Sequence, residues 1–156
     1  MNEIYDELNL LFSKIRENRQ VLKFSENLSY EELQQICDGS SQMTTLIDFD
    51  NYSMKYCNQS AYEFLGVTQD ETTRLGFKYI LKLVHPENMS IVQMFIKYFS
   101  DRSNHDNILS HTFYIKSKNG WEWTYACVKP VAYNENGSVK YLLGVGCSID
   151  DLLKTK

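Results

Sequence analysis

The chain has 156 residues, of which 43% are hydrophobic and 23% are charged, so it can build the core of one domain. Its formal net charge of −4 argues against a nucleic-acid-binding surface, which is usually basic. No apolar run approaches the ~20 residues of a membrane span, and the N-terminus lacks a secretory apolar segment. We therefore expect a cytoplasmic protein that binds neither nucleic acid nor a membrane.

The four cysteines are spread along the chain: Cys37, Cys57, Cys127 and Cys147. No two of them have the two-residue spacing of zinc or redox motifs. Unpaired thiols of this kind usually pack as small hydrophobic groups. We expect most of them to be buried and free.

Residues 1–41 are predicted to form a helical extension. The apolar positions of the first helix recur at helical spacing and form one narrow seam of Ile4, Leu8, Leu11 and Ile15. Ser29 and Glu32 form a capping box for a second helix, which Gly39 ends. The composition then changes at Ser40-Ser41. We expect residues 42–150 to form the main domain and residues 151–156 a C-terminal tail.

The main domain begins with two short strands, TTLIDFD and SMKYC, around a turn at Asp50-Asn51. Asn58 is predicted to cap the next helix and Gly66 to end it. Two further short helices follow, one of them capped by Thr68, and a longer helix is predicted to start at His85-Pro86-Glu87.

Three strand-like stretches complete the domain: ILSHTFYIKSK, WEWTYACVKPVAY and SVKYLLGVGCSI. The turns between them each contain an Asn-Gly, which is typical of hairpins. Together with the first two strands they predict an α+β fold, in which a five-stranded antiparallel sheet has short helices on one face. Strand alternation gives this sheet one bulky aromatic face and one face of small side chains.

The order of elements resembles the PAS domain family over about residues 42–150. The stretches that carry the resemblance are LIDFDNYSMKYCNQSAYEFLGVTQDE, LVHPEN, KSKNGWEW and NENGSVKYLLGVGCSID. The resemblance implies a sensor or interaction module that is not an enzyme, with a cavity between sheet and helices. The helix-rich N-terminus is similar to that of the sensor portion of bacterial LuxR-type transcription regulators.

The family pattern implies that the small face lines the cavity. A ligand pocket for a small effector is then expected to comprise Val92, Phe95, Ile96, Phe99, Phe113, Ile115, Thr124, Ala126, Val128, Leu142, Gly144 and Gly146. Glycines in a strand often mark the close approach of another group. The alternative is that Phe95, Phe99 or Tyr79 fills this space as ordinary core packing.

The aromatic face needs a cover, because burying a Trp side chain removes 150–250 Å² from water. The cover is either the N-terminal helix of the same chain or a second subunit, and we expect a homodimer. The residues assigned to this helix-packing or dimer face are Ile4, Leu8, Leu11, Ile15, Trp121, Trp123 and Tyr125.

The sequence identifies no cofactor. The flavin photoreceptors of the family carry an Asn-Cys-Arg-Phe motif, whereas here Cys57 precedes Asn58, so a covalent flavin adduct is not expected. Haem-binding members place a His on the long helix, and residues 87–100 contain none. We expect no catalytic and no metal-binding residues. A ligand-free interaction core and a small cavity enzyme using Glu122 are the alternatives.

Overall fold

The computed structural model describes residues 2–22 and 27–150 of the chain. Five antiparallel strands form one sheet in the order β2-β1-β5-β4-β3. The strands are β1 Met43–Asp48, β2 Ser53–Cys57, β3 Leu109–Ser117, β4 Gly120–Tyr133 and β5 Val139–Ser148. The predicted α+β fold with a five-stranded antiparallel sheet is confirmed. The last strand in sequence, β5, lies in the middle of the sheet.

The helices divide between the two faces of this sheet. They are α1 Asn2–Val21, α2 Tyr30–Gly39, α3 Gln59–Leu65, α4 Gln69–Leu75, α5 Phe77–Leu83 and α6 Met89–Ser100. The short helices α3 to α6 contribute to the core on the inner face, and α1 and α2 pack on the outer face. Within residues 2–22 and 27–150, none of the helices is both long and apolar enough to cross a bilayer.

The longest inner helix begins later than predicted. Pro86–Asn88 form a separate 3-10 turn, and α6 starts only at Met89. The ring of His85 explains the turn, because its Nδ1 atom accepts a hydrogen bond from the backbone N–H of Glu87 at 3.2 Å. The prediction that Pro86 lies in the first turn of the long helix was wrong, because Pro86 begins the separate 3-10 turn.

The β1–β2 turn also differs in detail from the predicted Asp50-Asn51 turn. The residue with positive φ is Tyr52, at 50°, a conformation that non-glycine residues seldom adopt. Its ring is buried and packs edge-on against Phe49 and Phe77, with centroids 6.2 and 6.4 Å away. Burial of this large ring is what offsets the local backbone strain.

The outer face carries its own hydrophobic core. Leu22 at the end of α1 and Leu33 and Cys37 on α2 are fully buried there against side chains of β1, β4 and β5. The two N-terminal helices are therefore packed parts of the fold. The division of the chain at residue 41 stays a prediction, and the tail predicted for residues 151–156 lies outside the described residues.

Asn58 joins four segments of the fold. Its side-chain oxygen accepts the N–H groups of Thr44 on β1 and Ala61 on α3, both at 3.1 Å. Its amide nitrogen donates to the carbonyls of Cys37 at 2.9 Å and Gln42 at 2.7 Å. The side chain is 3% exposed, so these bonds have no competition from water. The predicted cap of α3 thus also holds the end of α2 against β1.

We expect Asn58→Ala to lower the free energy of unfolding by about 3 kcal/mol, because it leaves several buried backbone groups without partners. Urea denaturation measures the effect. The matched control is Thr68→Ala, which removes an exposed cap of α4 and should cost about 1 kcal/mol. Equal losses in the two variants would show that Asn58 is only a helix cap.

Candidate functional site

A cavity of about 140 Å³ lies between the inner face of the sheet and helices α3, α5 and α6. Side chains and backbone from all five strands contribute to its wall. The lining residues are Met43, Thr45, Ile47, Tyr52, Met54, Ala61, Phe64, Leu65, Ile80, Leu83, Val84, Val92, Phe95, Phe113, Ile115, Thr124, Ala126, Val128, Gly144, Val145 and Gly146. The wall is apolar except for three hydroxyl-bearing side chains.

Most residues of the predicted pocket lie on this wall: Val92, Phe95, Phe113, Ile115, Thr124, Ala126, Val128, Gly144 and Gly146. Three others, Ile96, Phe99 and Leu142, are not among the residues that line the cavity. Phe99 is fully buried but packs edge-on against Phe95, 6.5 Å away, and is not in the cavity lining. Leu142 is likewise fully buried in the inner core. Ile96 is partly exposed and packs against that core.

Sequence reasoning missed the contribution of the first two strands. Met43, Thr45 and Ile47 alternate along β1 and all face the cavity, and Met54 on β2 joins them. The period-two spacing on β1 was the available signal. This alternation could not show which side chains face the cavity, because helices cover both faces of the strand.

Gly144 and Gly146 on β5 have no side chains, so they leave space on the sheet side of the cavity. A Cβ placed on Gly144 would lie 3.0 Å from Thr45 Oγ1, and one on Gly146 would lie 3.2 Å from the carbonyl oxygen of Tyr125. Both contacts are tighter than most Cβ atoms make, so a side chain at either position would require its neighbour to shift. Although Phe95, Phe99 and Tyr79 are all buried in the inner core, they leave this space open.

The size of the cavity restricts what it can hold. Sites for drug-sized ligands measure about 300–1,000 Å³, whereas an engineered apolar cavity of about 150 Å³ holds benzene or xenon. A volume of about 140 Å³ therefore suits a single small ring. It is less than half the lower limit for ligands of drug size.

The described chain covers the aromatic face only in part. Trp121 is 38% exposed and Trp123 is 45% exposed. Their ring contacts are with Tyr114, whose centroid lies 5.8 and 4.8 Å from them, and Trp121 also packs against His85 at 4.9 Å. We call Tyr114, Trp121 and Trp123 the aromatic patch. Tyr125, further along β4, is partly buried against the outer core instead.

Helix α1 lies against β4 and β5 through its C-terminal half. Asn18 and Leu22 are fully buried, and Leu11 and Ile15 are partly buried. Leu8, also assigned to the packing seam, is 47% exposed, and the side chain of Ile4 lies outside the described part of the chain. The helix therefore covers the sheet beside the aromatic patch and leaves the two Trp side chains exposed.

A second apolar stripe runs along α1 on its free side. It consists of Tyr5, Leu8 and Phe12, which are 72%, 47% and 51% exposed. Their spacing of three and four residues places them on one face of the helix. We call these residues the α1 stripe. The α1 stripe and the aromatic patch are thus two exposed apolar surfaces of the described chain.

The residues considered for cofactor or acid–base chemistry lie away from the cavity wall. Cys57 is buried in the inner core with its Sγ 3.5 Å from Met54 Sδ. Glu122 accepts a hydrogen bond from the Ser117 hydroxyl beside the β3–β4 turn. Among the described residues, no group of three His, Cys, Asp or Glu side chains could hold a metal ion. The expectations about flavin, haem and catalysis stay predictions.

All four cysteines are free, and only Cys147 is partly exposed, as the sequence predicted for most of them. Burial raises the pKa of Cys37 and of Cys57 to about 12. It also raises the pKa of the Cys147 thiol, though that group is more accessible. At neutral pH these side chains are protonated and behave as apolar groups.

The arrangement of a five-stranded antiparallel sheet around a helix-covered cavity defines a class of small sensory domain. The sequence profile of the PAS fold family matches residues 54–146, which is more than half of the chain. The chain therefore belongs to the PAS family, whose members serve as sensory modules in signalling proteins. No match was found among curated protein sequences.

Solved structures with this fold come from several signalling proteins. The LOV protein of Rhodobacter sphaeroides is 17% identical with a TM-score of 0.61, covering 76% of this chain and 66% of its own. The RpfR quorum-sensing receptor PAS domain of Cronobacter turicensis, in complex with BDSF, is 16% identical with a TM-score of 0.54, covering 70% and 95%.

The N-terminal domain of a diguanylate cyclase with PAS/PAC sensor from Marinobacter aquaeolei is 17% identical. Its TM-score is 0.56, and the alignment covers 70% of this chain and 95% of that domain. At such identities the likeness shows the fold alone. The chain spans 66% of the LOV protein, so that protein's activity does not transfer with the fold.

We expect at most one thiol of the native protein to react rapidly with a chromogenic disulfide reagent at pH 8. Cys37 and Cys57 are protonated there, because their raised pKa values lie far above the pH and the thiolate is the reactive form. Cys127 is fully buried and out of reach of the reagent. The same assay in urea should titrate all four. Rapid reaction of two or more native thiols would contradict the described burial.

Proposed function

We propose that this PAS domain senses a small apolar effector in its cavity and reports occupancy through α1. The observation that carries the proposal is the position of β5 between the two. Gly144 and Gly146 face the cavity, while Val145, the residue between them, is fully buried in the outer core. Only one strand therefore separates the cavity from the N-terminal helix.

The contact between β5 and α1 is polar as well as apolar. Asn18 Nδ2 donates to the carbonyl of Val145 at 3.4 Å, and Leu22 packs in the same cluster as Val145. The Asn18 side-chain oxygen is buried without a hydrogen-bond partner among the described residues. A long bond beside an unpaired acceptor is a contact that can rearrange at low cost.

Signalling by this route requires an effector that favours one arrangement of α1 over another. A ligand that presses on the glycine floor would displace β5 and with it the Val145 carbonyl. The helix would then repack against β4 and β5. The RpfR PAS domain in complex with BDSF supports the idea that a domain of this fold holds a small molecule.

We further propose that two copies assemble through the α1 stripe and the aromatic patch. Each surface is too apolar to be left in water without cost. A second copy supplies the complement of both, because in a symmetric dimer the stripe of each subunit can meet the patch of the other. Exposed Trp side chains are also frequent anchors of interfaces.

The output that we propose is transcription regulation by a cytoplasmic protein in which this domain itself is not an enzyme. This rests on the resemblance of the N-terminal region to LuxR-type regulators. The matches described above support a sensory role and give no support to that particular output. The small cavity also favours a second candidate, a constitutive interaction core that needs no ligand.

Toluene, which is a single small ring, tests the ligand proposal. At ten times its Kd it should stabilise the wild-type protein by about 1.4 kcal/mol. The melting temperature should rise by roughly 3–5 °C in a calorimetric scan. Ala126→Leu, which fills the cavity from β4, should abolish the shift. The matched control Ala126→Ser should keep it. An unchanged wild-type melting temperature would favour the ligand-free interaction core.

Phe12→Ser and Trp123→Ser test the dimer. Each removes an exposed anchor from one of the two surfaces and should raise the dimer Kd at least about tenfold. Size-exclusion chromatography with light scattering over a concentration series measures this. The control is Leu81→Ser on α5, which is 49% exposed but lies on the inner-face helices. A monomeric wild-type protein, or equal weakening by the control, would refute the interface.

A further inference from the structure

The cavity wall contains three hydroxyl groups, and they differ in what they bind. Thr124 Oγ1 donates to the backbone carbonyl of Phe113 at 3.2 Å, so its proton is already committed. Thr45 and Tyr52 have no hydrogen-bond partner for their hydroxyl groups among the described residues. Every other side chain on the wall is apolar.

Thr45 is placed where a ligand would meet it. It lies on β1 opposite Gly144 on β5, and both residues line the cavity. A Cβ on Gly144 would lie 3.0 Å from Thr45 Oγ1, so the hydroxyl occupies the side of the space that the glycine leaves open. Any other residue at position 144 would crowd this hydroxyl and reduce access to it.

An unpaired hydroxyl in an apolar cavity is unfavourable, and a ligand that hydrogen-bonds to it removes that cost. The remaining wall suits a ring. Phe95 and Phe113 meet edge-on with centroids 5.4 Å apart, and the side chains of Met43 and Met54 provide polarisable sulfur atoms on the strand side. Both groups make favourable contacts with aromatic rings.

We infer that Thr45 is the polar anchor of the cavity, and that the effector is a single-ring aromatic molecule bearing one hydroxyl or carbonyl group. The inference rests on the proposed function, since it names the ligand class for that same cavity. The ring occupies the apolar volume of about 140 Å³. Its polar group reaches the Thr45 hydroxyl in the space beside Gly144.

Phenol and toluene are probes of matched shape that differ in one polar group. A purely apolar cavity rejects phenol, because the phenol hydroxyl would lose its bonds to water without replacement. With Thr45 as a partner, we expect wild-type protein to bind both. Thr45→Val keeps the branched shape and removes the hydroxyl. It should weaken phenol about tenfold and leave toluene within about twofold. Isothermal titration calorimetry measures both values.

Two variants separate Thr45 from the other hydroxyls of the wall. Thr124→Val removes a group whose proton is committed to Phe113, so the ratio of phenol to toluene affinity should stay that of the wild type. Tyr52→Phe should also leave this ratio unchanged. Loss of phenol binding in Tyr52→Phe but not in Thr45→Val would assign the anchor to Tyr52 and overturn the inference. Thermal melts of each variant check that it is folded.

The remaining outcomes distinguish this inference from the proposed function. If toluene binds the wild type and phenol does not, the cavity is a ligand site but Thr45 is not its anchor. If Thr45→Val weakens both probes equally, the residue shapes the cavity without recognising a polar group, and the inference again fails. If neither probe binds, the cavity is not a site for single-ring molecules, which overturns both the inference and the proposed function.

Discussion

The structure depends on the burial of both faces of the central strand β5. Successive side chains of a strand point to opposite faces of the sheet, so β5 contributes residues both to the cavity wall and to the outer core. It does so with Gly144 and Gly146 on one side and Leu143 and Val145 on the other. The glycines leave the cavity open, and the Leu and Val side chains fill the outer core. This division allows a cavity and a docked N-terminal helix to share one strand.

Helix α3 is held to this sheet by a polar junction as well as by apolar contact. Asn58 satisfies backbone groups of β1 and α3 and of the segment that ends α2. An amide side chain has both a donor and an acceptor end, so it can bind carbonyls and N–H groups at the same time. The same residue therefore fixes elements on both faces of the sheet.

On the outer face, the contact between α1 and the sheet is buried, whereas the α1 stripe and the aromatic patch stay exposed in the single chain. The C-terminal half of α1 is buried through Asn18 and Leu22, whereas Phe12 and Trp123 remain about half exposed. A helix presents only one narrow face to a flat sheet, so it cannot cover both the centre and the hairpin end of β4. The aromatic patch gains part of its packing from Tyr114 and His85 instead. This geometry motivates a second copy as the missing cover.

The sequence by itself determined the strands and the caps of α3, because alternation, Asn58 and Gly66 act through local chemistry that short spacing reveals. Alternation also separated the two faces of β3 to β5, and the family resemblance indicated which of them faces inward. It also indicated the family. Only the tertiary structure decided that Phe99 and Leu142 are buried in the inner core and do not line the cavity. It also decided that Thr45 on β1 lines the cavity, and that α1 leaves the two Trp side chains exposed. These outcomes depend on how far apart the elements settle and at what angle. Such distances are set by the mutual fit of side chains from distant segments, which no local pattern encodes.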